Sequence, residues 1–145
     1  NLIELTLEEI YDLAKKTLEH NGCNSQNAEA VADTVTKAER DGSISHGLFR
    51  IPGYVASLKS KKVNGEAKPI IEQLTQSVIR INGDKGFAPL AIKIGIPTLI
   101  EITKKNGVGV MAIKDTHHLM PIYYQSLHRL ATLYQMLVVA KIRKQ

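Results

Sequence analysis

The residues best suited to chemistry lie in one short run, Ser45-His46-Gly47, followed by Arg50 and Tyr54. An imidazole changes charge near neutral pH and exchanges protons readily. A guanidinium grips a carboxylate through two parallel N–H bonds. On a continuous helix His46, Arg50 and Tyr54 are spaced by four residues and share one face. With Ser45 as N-cap, His46 enters the first turn, where the positive end of the helix dipole draws anions. That arrangement predicts a carboxylate-binding stripe with a proton donor beside it. An ordinary polar helix face is the plain alternative, and spacing does not separate the two.

A histidine pair, His117-His118, follows the apolar run ending at Ile113, through Lys114-Asp115-Thr116. Strand C-termini are where α/β proteins place reactive groups, and a polar turn is the competing reading. Adjacent histidines do not easily face one ion, and no carboxylate or further histidine stands at ligand spacing, so no metal is expected. Gly107-Val-Gly109-Val-Met-Ala112 matches a dinucleotide fingerprint in letters only. Those glycines must leave a strand and open a helix, whereas here they end a helix and open a strand. Cys23 reads as structural, and His20 and His128 as surface residues.

The elements that must carry these groups are readable from periodicity. Thr6-Leu7-Glu8-Glu9 is a capping box opening a helix through Leu7, Ile10, Leu13, Ala14 and Leu18, closed by Asn21-Gly22. A second helix starts near Asn24-Ser25 and buries Ala28, Val31, Ala32, Val35 and Ala38. A third pattern runs through Leu48, Ile51, Val55 and Leu58, with a kink or restart at Pro52. Beyond Lys62 the period changes. Ile70-Ile71 and Val78–Ile81 read as short strands, Ala88–Lys104 as a long helix, and Val108–Ile113 as a buried strand. Residues 121–133 read as helix and Met136–Ala140 as a last strand. The fold class is α/β (mixed α+β), helical over 1–62 and alternating strand and helix over 63–145, either a single domain or the N-terminal portion of a longer chain.

Composition narrows the classes. With 145 residues, 43% hydrophobic and 23% charged, the chain can bury a real core, and disordered or fibrous classes are excluded. No apolar run reaches the roughly 20 residues that a membrane-spanning helix needs, so no membrane association is expected. One cysteine cannot form an internal disulfide, which points to a cytoplasmic protein. Residues 1–46 carry 9 acidic and 4 basic groups; residues 47–145 carry 5 and 15. The basic second part suits phosphate groups or small carboxylates. Its lysines are scattered and no recognition motif accompanies them, so nucleic acid is not expected.

The run from Asp41 to Lys59, with its Ser-His-Gly-x-x-Arg-x-Pro-x-Tyr core, resembles the signature of the malate/L-lactate dehydrogenase family. The resemblance extends through Asn82-Gly83-Asp84-Lys85-Gly86-Phe87-Ala88, the Gly107–Val110 run and Thr116-His117-His118. Members are NAD(P)-dependent oxidoreductases of non-Rossmann fold, among them Δ1-piperidine-2-carboxylate and Δ1-pyrroline-2-carboxylate reductases and 2-hydroxy acid dehydrogenases. The resemblance implies His46 as the proton-transfer residue, His118 as a second active-site histidine, and Ser45, Arg50 and Tyr54 as substrate-binding neighbours. It also implies an NAD or NADP cofactor, a small carboxylate substrate and a homodimer, while assigning no cofactor-binding residue within this chain. Gly86-Phe87-Ala88 and Leu119–Tyr123 look closer to the imine reductases, although Met120 stands where a glycine is usual. Family members are longer, so a non-catalytic binding or dimerisation module is the alternative expectation.

Overall fold

Thr6 starts the first helix, α1 (Leu7–His20), by accepting at Oγ1 from the Glu9 amide while the Glu9 carboxylate accepts from the Thr6 amide at 2.7 Å. This reciprocal pair satisfies two amides that the helix leaves unbonded. The computed structural model describes residues 3–117 and, by their backbone, residues 135–140. These fall into two compact units, Asn1–Glu66 and Ala67–Gln145.

In the first unit, Asn24 caps α2 (Ser25–Arg40) through its side-chain oxygen and the Asn27 amide. Ala28, Val31, Ala32, Val35 and Ala38 are fully buried, and their small side chains let α1 pack closely through Ile10, Ala14 and Leu18. Leu7 and Leu13 share the helical spacing yet remain about half exposed. Two short 3-10 turns, Ile44–His46 and Leu48–Arg50, lead into α3 (Ile51–Lys59). Pro52 lies in the first turn of α3, where a missing N–H breaks no helical bond. The apolar pattern that begins at Leu48 therefore restarts as α-helix at Ile51.

The second unit opens with a hairpin of β1 (Ile70–Gln73) and β2 (Val78–Asn82), pairing Ile71 with Ile81 and Gln73 with Ile79. α4 (Ala88–Asn106) then crosses over to β3 (Val108–Lys114), which runs parallel to β2, and β4 (Gln135–Ala140) runs parallel to β3. The sheet order is β1-β2-β3-β4. Strand alternation turns Ile79, Ile81, Met111 and Ile113 to one face, where they form a core with Ala91, Leu99 and Ile102 of α4. A Cβ on Gly95 would run into Ile81 and Met111, so this glycine sets how closely helix and sheet approach. The architecture is the mixed α/β arrangement expected from the sequence. The helix expected over 121–133 lies outside the described residues.

Candidate functional site

The structure corrects the sequence reading at the Ser-His-Gly run. Ser45 does not cap a helix; Ser43 precedes the 3-10 turn, and His46 is that turn's last residue. Gly47, at φ −87 and ψ −143, interrupts the path before a second 3-10 turn ends at Arg50. No α-helix dipole therefore begins at His46, and His46, Arg50 and Tyr54 do not form one continuous helical stripe. A helix would have needed helical dihedrals through Gly47, which a residue without Cβ does not favour.

The turns nonetheless bring three of the expected groups together. The Ser45 hydroxyl lies 2.9 Å from His46 Nδ1, and the Ser43 hydroxyl 3.3 Å from the same atom. Arg50 Nε donates to the Ser45 carbonyl at 2.8 Å. Among the described residues, neither His46 Nε2 nor the two terminal guanidinium nitrogens of Arg50 has a hydrogen-bond partner. Hydroxyls donate or accept, so the serine pair holds the ring in place in either protonation state. The free ring nitrogen and the free guanidinium edge are what proton transfer and carboxylate binding require. Ser45 is exposed, and His46 and Arg50 are partly so.

Tyr54 sits differently. It is 3% exposed and faces inward from α3 with Ile51 and Leu58. Burial pushes its phenol up to about 12, against the opposing influence of the Arg50 charge. The phenol is therefore neutral at neutral pH. Cys23, also buried, is pushed up to about 11 by desolvation and the Glu19 charge, which makes it a poor nucleophile.

In the second unit the carboxyl ends of the parallel strands β2 and β3 continue into two stitched loops. Gly83 N donates to Lys114 O at 2.9 Å, Lys85 N to Asp115 O at 2.7 Å, and His117 N to Gly86 O at 2.8 Å. Asp84, Lys85 and Asp115 all take positive φ there, a conformation that ordinary side chains seldom adopt. His117 packs edge-on against Phe87 with ring centroids 6.5 Å apart. His118 lies outside the described residues. Gly107 ends α4 and Gly109 lies within β3, where a Cβ would strike Thr103 and Leu99 of α4. Close helix packing thus explains Gly109, and the fingerprint-like letters open no helix.

Two residues escaped the sequence reading. Ser43 reaches His46 only because a 3-10 turn places residues three apart on one side. Glu39, on α2, accepts the Leu48 amide at Oε1, 2.7 Å away. Its only sequence signal was an acidic residue in the last turn of a helix, where the dipole disfavours it.

Three α-helices in the first unit, and in the second a small mixed sheet whose β2, β3 and β4 run parallel, place the described residues among α/β proteins outside the Rossmann type. The chain belongs to the malate/L-lactate dehydrogenase family, whose pattern it matches over residues 5–138. It is 39% identical over 121 residues to a Δ1-pyrroline-2-carboxylate reductase of Ancylobacter novellus, covering 83% of this chain and 36% of that protein. The crystal structure of the Δ1-piperideine-2-carboxylate reductase of Pseudomonas syringae pathovar tomato superposes with a TM-score of 0.79 at 34% identity, covering 82% of this chain and 36% of that one. The malate dehydrogenase of Pyrococcus horikoshii gives a TM-score of 0.78 at 25% identity, covering 87% and 36%. The chain thus spans about a third of the length of the relatives it matches.

Proposed function

We propose that this chain supplies the carboxylate-binding and proton-donating groups of an NAD(P)H-dependent oxidoreductase that reduces a C=N or C=O bond next to a carboxylate. The observation that carries this reading is the cluster of His46 and Arg50 around the Ser45 backbone, with the outer ring nitrogen and the outer guanidinium edge both open. Arg50 binds the substrate carboxylate through its terminal nitrogens, since Nε is already bonded to Ser45. His46 holds a proton at Nε2 and delivers it to the substrate nitrogen or oxygen that gains an electron pair on reduction. Ser43 and Ser45 orient the ring, and Tyr54 backs Arg50.

When bound, NADH or NADPH supplies the hydride. The turn from β2 into the N-terminus of α4 carries Gly83 and Gly86 without the G-x-G-x-x-G spacing of a dinucleotide site, and no residue of this chain is assigned to the cofactor. Cyclic 2-imino acids are the favoured substrates over oxaloacetate, supported by the reductases among the relatives. A malate-type pocket needs a second cation for its second carboxylate, and no Arg or Lys stands beside His118 in sequence. We also propose a homodimer, supported by the exposed side chains of Ile44 and Phe49 flanking the His46 turn, which are 70% and 74% accessible. No described helix is long and apolar enough to cross a membrane. A cytoplasmic location is supported by the lone, unpaired Cys23.

The test is His46→Ala in the protein that carries this chain. Loss of a positioned general acid lowers kcat for imine reduction by about a hundredfold or more, with the far-ultraviolet circular dichroism unchanged. Wild-type kcat in the variant would remove His46 from the mechanism.

A further inference from the structure

We propose that Glu39 is a positioning residue for the His46 turn: from the end of α2 its carboxylate clamps the Gly47–Leu48 peptide, the joint between the two 3-10 turns. Leu48 N–H is the first amide of its turn and has no carbonyl partner within it, because the turn's own bond runs from Arg50 N to Gly47 O. Glu39 Oε1 takes that amide at 2.7 Å. A charged acceptor makes this bond roughly twice as strong as a neutral one.

A second observation points the same way. A Cβ on Gly47 would collide with the Glu39 carboxylate, so the glycine leaves room for the clamp. The other end of the turn is fixed to the same helix, since Ser43 N donates to Ala38 O at 2.8 Å. His46 therefore lies on a segment tied to α2 at both ends, and Arg50 follows directly. Arg40, the adjacent cation, is engaged with Asp41 at 2.8 Å. Among the described residues no cation comes within 4.0 Å of the Glu39 carboxylate, so the carboxylate's one fixed partner is the peptide N–H.

That the clamp serves catalysis rests on the proposed function; the clamp itself does not. Amide exchange at Leu48 and the imidazole nitrogen resonances of His46 are therefore measured in the isotope-labelled chain, without substrate. Glu39→Ala accelerates Leu48 exchange by about tenfold or more and shifts the His46 resonances, while Val31 and Val35 in α2 keep their protection. Glu39→Gln, which retains an acceptor oxygen, stays within about threefold of wild type. Gly47→Ala reproduces the Glu39→Ala changes and adds little to them in the double variant, as expected of residues sharing one interaction. Unchanged Leu48 exchange or unchanged His46 resonances in Glu39→Ala would overturn the proposal. Should that variant lose the α2 protection as well, Gly47→Ala decides, and wild-type signals there overturn it. Failure of the proposed function reads out separately, as a wild-type protein that binds no imino or oxo carboxylate while the Glu39 responses persist.

Discussion

Arg50 donates through Nε to the Ser45 carbonyl, and that bond fixes the plane of the guanidinium on the turn that also carries His46. A lysine at position 50 has neither the fork nor a second nitrogen for the backbone. Arg50→Lys therefore raises KM for carboxylate substrates about tenfold or more, equivalent to roughly 1.4 kcal/mol. Equal KM values would place Arg50 on a passive surface. The buried phenol and thiol make a different prediction. Cys23 is raised from 9.0 to about 11 and Tyr54 from 10.0 to about 12. Both groups are raised in the folded state, so their stabilisation is complete below the unfolded values and is lost as pH climbs through the folded ones. The urea midpoint should fall between about pH 9 and 12, and Cys23→Ala should flatten the lower part of that fall. A midpoint flat across this range would contradict the assigned burial. That His46 and Arg50 lie near one another was legible from their closeness in sequence, although turns about Ser45 and not a helical stripe bring them together. The inward turn of Tyr54 was not, because it depends on α3 starting only at Ile51.

Caps and punctuation decided the elements more reliably than their apolar content. Thr6 and Glu9, Asn24, and Gly107 mark helix ends in the sequence, and the structure uses each of them there. Gly107 adopts φ +79 with nothing near a prospective Cβ, so its requirement is purely conformational. Gly107→Ala destabilises by about 1–2 kcal/mol in denaturant unfolding, the strain of a left-handed residue bearing a Cβ. A loss below a few tenths of a kcal/mol would show that the helix end relaxes. The Ser-His-Gly segment was the element least visible beforehand. Ser45 looks like an N-cap, yet the chain forms two 3-10 turns because bonds from outside the segment override local preference. Leu48 is taken by Glu39, nine residues upstream, and Ser43 by the last turn of α2. Tertiary hydrogen bonds of this kind leave no periodic trace in a sequence.

At the scale of the whole chain, helices first and a strand–helix–strand crossover second were readable from the change in apolar period after Lys62. Sheet order was not readable, since register is set by pairing across the turn and the crossover. The charge asymmetry, net −5 over residues 1–46 and net +10 over residues 47–145, places the positive potential on the part that includes Arg50 and the strand-end loops. That is the polarity an anionic substrate and a phosphate-bearing cofactor require. Family membership rests on nearly the full length of the chain, whereas membership alone does not choose between imine and carbonyl chemistry. The most direct measurement is therefore a comparison of kcat/KM for Δ1-pyrroline-2-carboxylate and oxaloacetate, with NADPH and with NADH, in the protein that carries this chain. The account predicts cofactor-dependent reduction of the cyclic imine with the higher kcat/KM; faster reduction of oxaloacetate, or no reduction of the imine with either cofactor, would contradict it.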